Sequence, residues 1–362
     1  MRAFSVKDRE AIVKEWLKVD PFKPNELKAL TSVCPEPELK PFDQTKEEIM
    51  TNGFFEKLPY GHMSYNTHEI SFFEHATDAI NKLFTRKVDA NTLVVISNNE
   101  HENVIKAAKA YENVYVLDFD TEIMPCKLDK LYDECRKYKK VFVYVIGTQV
   151  SNGIITPQLF FEELKDWLVA NYKEHTMVID DVHGLFIVPR NYEIFDYIVY
   201  TCHALTTMFD LGILIAKRPS MLVGWHFNNM GIAYLEALNA VLNHPVKFYS
   251  FKPIMCQYFA EEIASGKLTL NANTAPHIFA PEIHGLHLNK TEFDQIFMEL
   301  KKYDMRIEAG FNEEGECISR IYFRVREGQY FTYPEKLLPG LEIVKSILDM
   351  IEWSSNITSY KS

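Results

Sequence analysis

A carboxylate and an imidazole three residues apart close an apolar run in Val178-Ile179-Asp180-Asp181-Val182-His183-Gly184. An aspartate at a strand end can pair with a protonated ring nitrogen, which stabilises a pyridinium and makes that ring an electron sink. The same aspartate can instead cap the turn that follows the strand. Asn99-Glu100-His101-Glu102-Asn103 follows a second apolar run. An imidazole there can stack on a flat heteroaromatic ring, or simply open a helix. Ala76-Thr77-Asp78-Ala79-Ile80-Asn81 has the pattern of a helix start. Free backbone N–H groups and a threonine hydroxyl suit a phosphate at such a place, and they equally suit a plain N-cap.

The elements that must position these residues alternate in kind. Strand candidates are Leu93-Val94-Val95-Ile96, Val114-Tyr115-Val116-Leu117, Val141 to Ile146, Met177-Val178-Ile179, Tyr197-Ile198-Val199-Tyr200 and Ile213-Leu214-Ile215. Helical patterns lie between them, for example Asn103 to Tyr111 and Leu128 to Lys137. Near-continuous apolar strands alternating with amphipathic helices predict an α/β fold, a mostly parallel sheet covered on both faces. Ligands in such sheets sit beyond the carboxyl ends of the strands, where Asp180 and His101 fall. From about residue 225 a long helical region leads to alternating stretches at His284 to Leu288 and Ile321 to Val325, which predict a small C-terminal α+β domain. The expected division is an N-terminal segment at 1–55 packing on the small domain, a large domain at 56–245 and a small one at 246–362.

Composition narrows the partners. The 362 residues are 47% hydrophobic and carry a net charge of −11, spread along the chain, which argues against nucleic acid as the main partner. No apolar run reaches the ~20 residues that span a bilayer. Met1 to Val19 reads as a charged amphipathic helix rather than a signal peptide. The six cysteines show no CxxC spacing, which fits reduced thiols in the cytoplasm. His62, His68, His175 and His284 have no ligand spacing, so no metal site is expected. No GxGxxG follows a strand, which disfavours a ribose-containing cofactor.

Taken in order, the segments resemble the class V aminotransferase and cysteine desulfurase-like family of pyridoxal 5'-phosphate enzymes (fold type I). The family's Gly-x-Thr-Glu-Ala-Ile-Asn phosphate segment reads His75-Ala76-Thr77-Asp78-Ala79-Ile80-Asn81 here, and its Glu-His pair reads Glu100-His101. Its Asp-x-x-Gln or Asp-x-x-His element matches Asp180 to His183. Its Ser-x-His-Lys matches Thr201-Cys202-His203-Ala204 and continues without a gap through Gly212 to Lys217. Arg324, Tyr330 and Thr332 match a further Arg, Tyr and Thr, so the likeness covers roughly residues 70–345.

The resemblance implies a role for each position. Asp180 holds the ring nitrogen, His101 stacks on the ring and His183 touches the ring oxygen. Ala76, Thr77, Thr201 and His203 hold the phosphate. Val150 replaces an asparagine near the ring, with Gln149 or Ser151 standing in for it. Arg324 clamps the substrate carboxylate, a task suited to a bidentate guanidinium. Position 204 belongs to the lysine that forms a Schiff base with the cofactor, and here it is Ala204. Lys217 lies too far along to replace it.

A chain that keeps the companions and lacks only that lysine reads as a Lys-to-Ala variant that cannot turn over. A natural lysine-free protein is the other reading, with His203 or no residue moving protons. The expected function is pyridoxal-phosphate-dependent chemistry on a small amino acid or amine through an aldimine, as an aminotransferase. A lyase or desulfurase, and a non-catalytic or lysine-independent binding protein on the same fold, are the alternatives. Sulfur transfer is disfavoured because Cys317 lies only seven residues before Arg324, and Cys256 reads as core. The resemblance further implies a homodimer. Trp225-His226-Phe227-Asn228-Asn229-Met230 would then border the site, or else form a plain surface loop.

Overall fold

Runs that are apolar at every position need cover on both faces, and the chain supplies it with helices between successive runs. A computed structural model of the chain describes residues 6–18, 44–60, 62–119, 128–149, 151–201, 211–218, 235, 238–239, 246–330, 334–349 and 351. The runs form a seven-stranded sheet from β1 (His68–Phe73), β2 (Thr92–Ser97), β3 (Val114–Leu117), β4 (Lys140–Ile146), β5 (Glu174–Asp180), β6 (Tyr197–Thr201) and β7 (Gly212–Lys217), in the order β1-β7-β6-β5-β4-β2-β3. Strands β2 to β6 pair in parallel, and β7 is antiparallel to both of its neighbours, β1 and β6. The fold is therefore mixed α/β, with a large, mostly parallel sheet flanked by helices.

The sequence pattern does not single out β1, and the reason is its mixed polarity. His68, Glu69 and Ser71 interrupt the apolar run, yet all six residues pair with β7 in full register, from His68 opposite Lys217 to Phe73 opposite Gly212. The predicted helices form at slightly shorter lengths, Glu102–Ala108 and Asp129–Cys135. Met1 to Val19 contains the helix Val6–Lys18.

The chain divides into two compact units. The described residues of Phe22–Val150 and Ile154–Pro245 form the larger, and those of Met1–Pro21, Ser151–Gly153 and Val246–Ser362 the smaller. In the larger unit the helix Ala76–Lys87 buries Ala79, Ile80, Leu83 and Phe84, an apolar stripe at helical spacing. That stripe packs on Val94, Ile96, Phe142, Tyr144, Val178, Val199 and Leu214 of the sheet. Burying each large apolar side chain contributes about 1.5–3 kcal/mol.

The smaller unit has its own sheet, built from β8 (Leu268–Thr269), β9 (Ile278–Phe279), β10 (Glu282–Ile283), β11 (Arg306–Glu308) and β12 (Ile321–Arg326). The expected strand at His284 to Leu288 lies two residues earlier, at Glu282–Ile283, because Gly285 turns the chain with a φ of 76°. Trp16 of the N-terminal helix belongs to this unit's core and donates from Nε1 to Ser250 Oγ at 3.1 Å.

Candidate active site at the carboxyl edge of the large sheet

Strand register builds one polar edge. Ile146 lies opposite Asp180, Asp180 opposite Val199, Thr201 opposite Gly212 and Gly212 opposite Phe73. The ends of β4, β5, β6 and β1 and the start of β7 therefore share a rim, as the parallel topology requires.

Asp180 is buried at the centre of that rim. The Tyr144 hydroxyl donates to its Oδ2 at 2.9 Å, and Val182 N–H approaches Oδ1 at 3.3 Å. Burial pushes the carboxyl up to about 6, with those two hydrogen bonds pulling the other way. Glu100, on the turn after β2, is buried as well. Its Oε1 accepts from Ser97 Oγ at 2.7 Å and from Ile146 N–H at 2.7 Å, while Oε2 has no hydrogen-bond partner among the described residues. Burial, and then the charge of Asp180, push Glu100 up to about 8. Near neutral pH this places a neutral Glu100 beside an ionised Asp180.

Asp181 points elsewhere and has a different task. Tyr192 donates to its Oδ2 at 2.6 Å, and Arg190 Nε lies 3.3 Å from the same oxygen. Arg190 also donates to the Thr156 carbonyl at 2.8 Å and to the Gly147 carbonyl. All three side chains are fully buried. A Cβ on Gly184 would meet Asp181 Oδ1 at 2.2 Å, and one on Gly147 would meet it at 2.4 Å. These two glycines let the backbone wrap closely around the carboxylate. The wrap holds the turn from Asp181 to Gly184, where Gly184 N–H donates to the Asp181 carbonyl at 3.0 Å, and with it the buried His183.

The helix start at Ala76 lies at the same rim. His75, its N-cap, is extended at φ −138°, a conformation open to any residue, so this turn does not need the glycine that the resemblance expects. Asp78 Oδ2 accepts from His75 N–H at 3.2 Å. Asn103 donates from Nδ2 to Thr77 Oγ1 at 2.7 Å, which links two helix starts. His101 caps the second of them, its Nδ1 accepting from Asn103 N–H at 3.3 Å, and is exposed. Gly212 makes the approach of β7 possible, since a Cβ there would fall 2.5 Å from His75 C and O.

Gln149 is buried, with its N–H bonded to the Ile154 carbonyl at 2.8 Å and its Oε1 without a hydrogen-bond partner among the described residues. Thr201 is buried at the end of β6. Lys217 ends β7 opposite His68, at the other edge of the sheet, so it does not reach the rim. His203, Ala204, Val150, Thr332 and Trp225 to Met230 lie outside the described residues. Arg324 belongs to the smaller unit, where it is buried on β12 and lies 3.4 Å from Glu308 Oε1. Tyr330, also in that unit, donates from its hydroxyl to the Tyr303 carbonyl at 2.8 Å. Among the described residues no group of three His, Cys, Asp or Glu side chains can hold a metal ion, and no helix is long and apolar enough to cross a membrane.

Sequence reasoning missed Tyr144, Asn103 and the Arg190–Asp181–Tyr192 group. A polar tyrosine at the only hydroxyl-bearing position of an otherwise apolar strand was the available signal for Tyr144, and doubled aspartates after a strand the signal for Asp181.

No family model and no curated protein matches the chain. Solved structures share its fold. A NifS-like protein from Rickettsia africae matches at 14% identity and a TM-score of 0.66, over 91% of this chain and 96% of its own. Another NifS-like protein matches at 13% identity and 0.62, over 94% and 95%. A C-S lyase from Staphylococcus hominis, solved with pyridoxal phosphate as an external aldimine with the inhibitor L-cycloserine, matches at 10% identity and 0.61, over 93% and 85%.

Proposed function

We propose that the chain binds pyridoxal 5'-phosphate at the carboxyl edge of the large sheet and belongs with enzymes that act on small amino acids, as an aminotransferase. The observation that carries this reading is Asp180, a buried carboxylate at the end of β5 held by the Tyr144 hydroxyl. The residues present fit the cofactor. A buried carboxylate suits a protonated ring nitrogen, the start of the helix Ala76–Lys87 suits a phosphate, and Gln149 Oε1 is a buried acceptor still in need of a donor. When bound, the cofactor supplies an electron sink for negative charge at the substrate carbon next to nitrogen.

This chain's own groups do the rest. Asp180 holds the proton on the ring nitrogen, and Tyr144 keeps that carboxylate oriented. Glu100, neutral near pH 7, braces the loop without adding a competing charge. Ala76, Thr77, Thr201 and His203 hold the phosphate, with Asn103 fixing the Thr77 hydroxyl. His101 covers one ring face, and His183 and Gln149 address the ring substituents. Arg324 takes the substrate carboxylate. Ala204 stands where a lysine belongs, so the chain binds the cofactor without a covalent bond and turns over poorly or not at all.

Cys317 weighs against sulfur transfer, which needs a mobile thiol. It lies in a closed hairpin between β11 and β12, paired across to Phe311, with its Sγ 3.3 Å from the Ser319 carbonyl. Cys135, Cys256 and Cys317 are free thiols, which supports a reducing cytoplasmic setting, and the family likeness supports a homodimer.

The test is equilibrium dialysis of the full chain against pyridoxal phosphate, then borohydride reduction and intact mass. Binding without a lysine adduct is expected, and Ala204→Lys should yield a cofactor-sized adduct on the introduced lysine. That variant, offered a panel of amino acids, should convert the cofactor to its amine form and be recharged by a keto acid. Sulfide or ammonia release instead would mark a desulfurase or a lyase. Absence of cofactor affinity in both forms sinks the reading.

A further inference from the structure

Strand β12 presents two faces. Ile321, Phe323 and Val325 point into the small unit's apolar core. Residues at period two share a face, so Tyr322, Arg324 and Arg326 line the opposite one. Both arginines on that face are buried, at 3% and 9% exposure. Arg324 has a carboxylate partner in Glu308. Arg326 has neither a hydrogen bond nor an ion pair to any described residue, and its Nε is buried without a partner. Its strand neighbours give it no compensation, since Arg326 lies opposite Ile278 on β9 and Arg324 lies opposite Arg306 on β11. Burial, and then the charges of Arg324 and Arg306, depress its guanidinium to about 9, which still leaves it charged near neutral pH.

The carboxylates of Asp304 and Glu308 lie near enough to favour its charge, but neither contacts it. A buried guanidinium that no described carboxylate contacts is costly, and such groups occur where an anion completes the site. Two guanidinium stems two residues apart on one strand face stand about 7 Å from each other. That separation suits the two carboxylates of a four- or five-carbon diacid, each of which can take a bidentate contact. We propose that this face of β12 is a double-anion site, and that the substrate is an acidic amino acid. Arg324 takes one carboxylate and Arg326 the other. The assignment of an amino acid rests on the function proposed above; the diacid site itself rests on β12 alone.

The experiment therefore uses the full chain without cofactor. Succinate and glutarate are titrated by calorimetry against propionate and butyrate at matched ionic strength, with sulfate as a further probe. The diacids should bind about tenfold or more tightly than the monoacids, the scale of one added charge-assisted pair. Arg326→Gln should abolish that preference and leave monoacid binding in place, while Arg326→Lys should keep part of it. Circular dichroism and thermal melts confirm that each variant is folded. Equal affinity for diacids and monoacids overturns the inference, as does sulfate binding as tightly as succinate. An Arg326→Gln that does not fold, with an Arg326→Lys that folds and shows no diacid preference, overturns it too. Loss of cofactor binding with the diacid preference intact would refute the reading of the large unit and leave this site standing.

Discussion

Glu100 Oε1 accepts the backbone N–H of Ile146 at 2.7 Å, which ties the turn after β2 to the last residue of β4. Ile146 in turn lies opposite Asp180 in the sheet. One carboxyl thus braces the strand end beside the strand end that carries the other, and both are buried.

The pair has a pH signature. The Glu100 carboxyl sits at about 8 in the folded chain against an ordinary value of 4.5. Between those values the folded state keeps a proton that the unfolded state has lost, so stability falls as pH rises, by about 1.4 kcal/mol per unit. The raised Asp180 acts in the same direction but only up to about 6. Between pH 6 and 8 the slope belongs mainly to Glu100. Glu100→Gln should flatten it, as read by urea midpoints at those two pH values, and an unchanged slope would contradict the assignment.

Tyr144→Phe removes the donor to Asp180 Oδ2 and keeps the ring in the core. Asp180 should then titrate still higher. The variant should lose about 1–2 kcal/mol where Asp180 is ionised and less where it is protonated. The stability difference from the parent should therefore be larger at pH 8 than at pH 5, and equal differences would count against this contact.

Gly212→Ala places a methyl 2.5 Å from the His75 backbone, which cannot swing aside as a side chain would. A loss of about 3 kcal/mol or more is expected from overpacking against backbone. If the helix start holds phosphate, cofactor affinity should fall further than stability alone explains. A wild-type melting temperature would mean that β7 and the helix start do not meet this closely.

Arg190→Met leaves Asp181 buried with only neutral partners, Tyr192 and Thr148. The cost should be about 3–5 kcal/mol, as for breaking any buried pair from one side. Adding Asp181→Asn to that variant should recover part of it, because no uncompensated charge remains. Chemical denaturation of the double variant and of both single variants reads the two effects, and additive losses would deny the coupling.

The class of fold was legible in the chain because runs such as Val141 to Ile146 are apolar at every position but Tyr144, a pattern that suits a sheet covered on both faces. Their ends located Asp180, Thr201 and the Glu100 turn, since a parallel sheet collects its strand ends on one rim. β1 escaped the pattern because its polar residues are accommodated by pairing with β7, nearly 150 positions away, and period alone carries no information about that partner. The hydroxyl of Tyr144 meets Asp180 across 36 positions of chain, and Arg190 closes around Asp181 through backbone carbonyls from β4's far turn. Residue types marked Asp180 as a candidate and passed over Asp181, because the closing of Asp181 on Arg190 and Tyr192 depended on register and side-chain direction. The same holds for Arg326. In sequence it is one more charge beside Arg324, and only the alternation of β12 against a packed core shows it buried, with its Nε lacking a hydrogen-bond partner among the described residues.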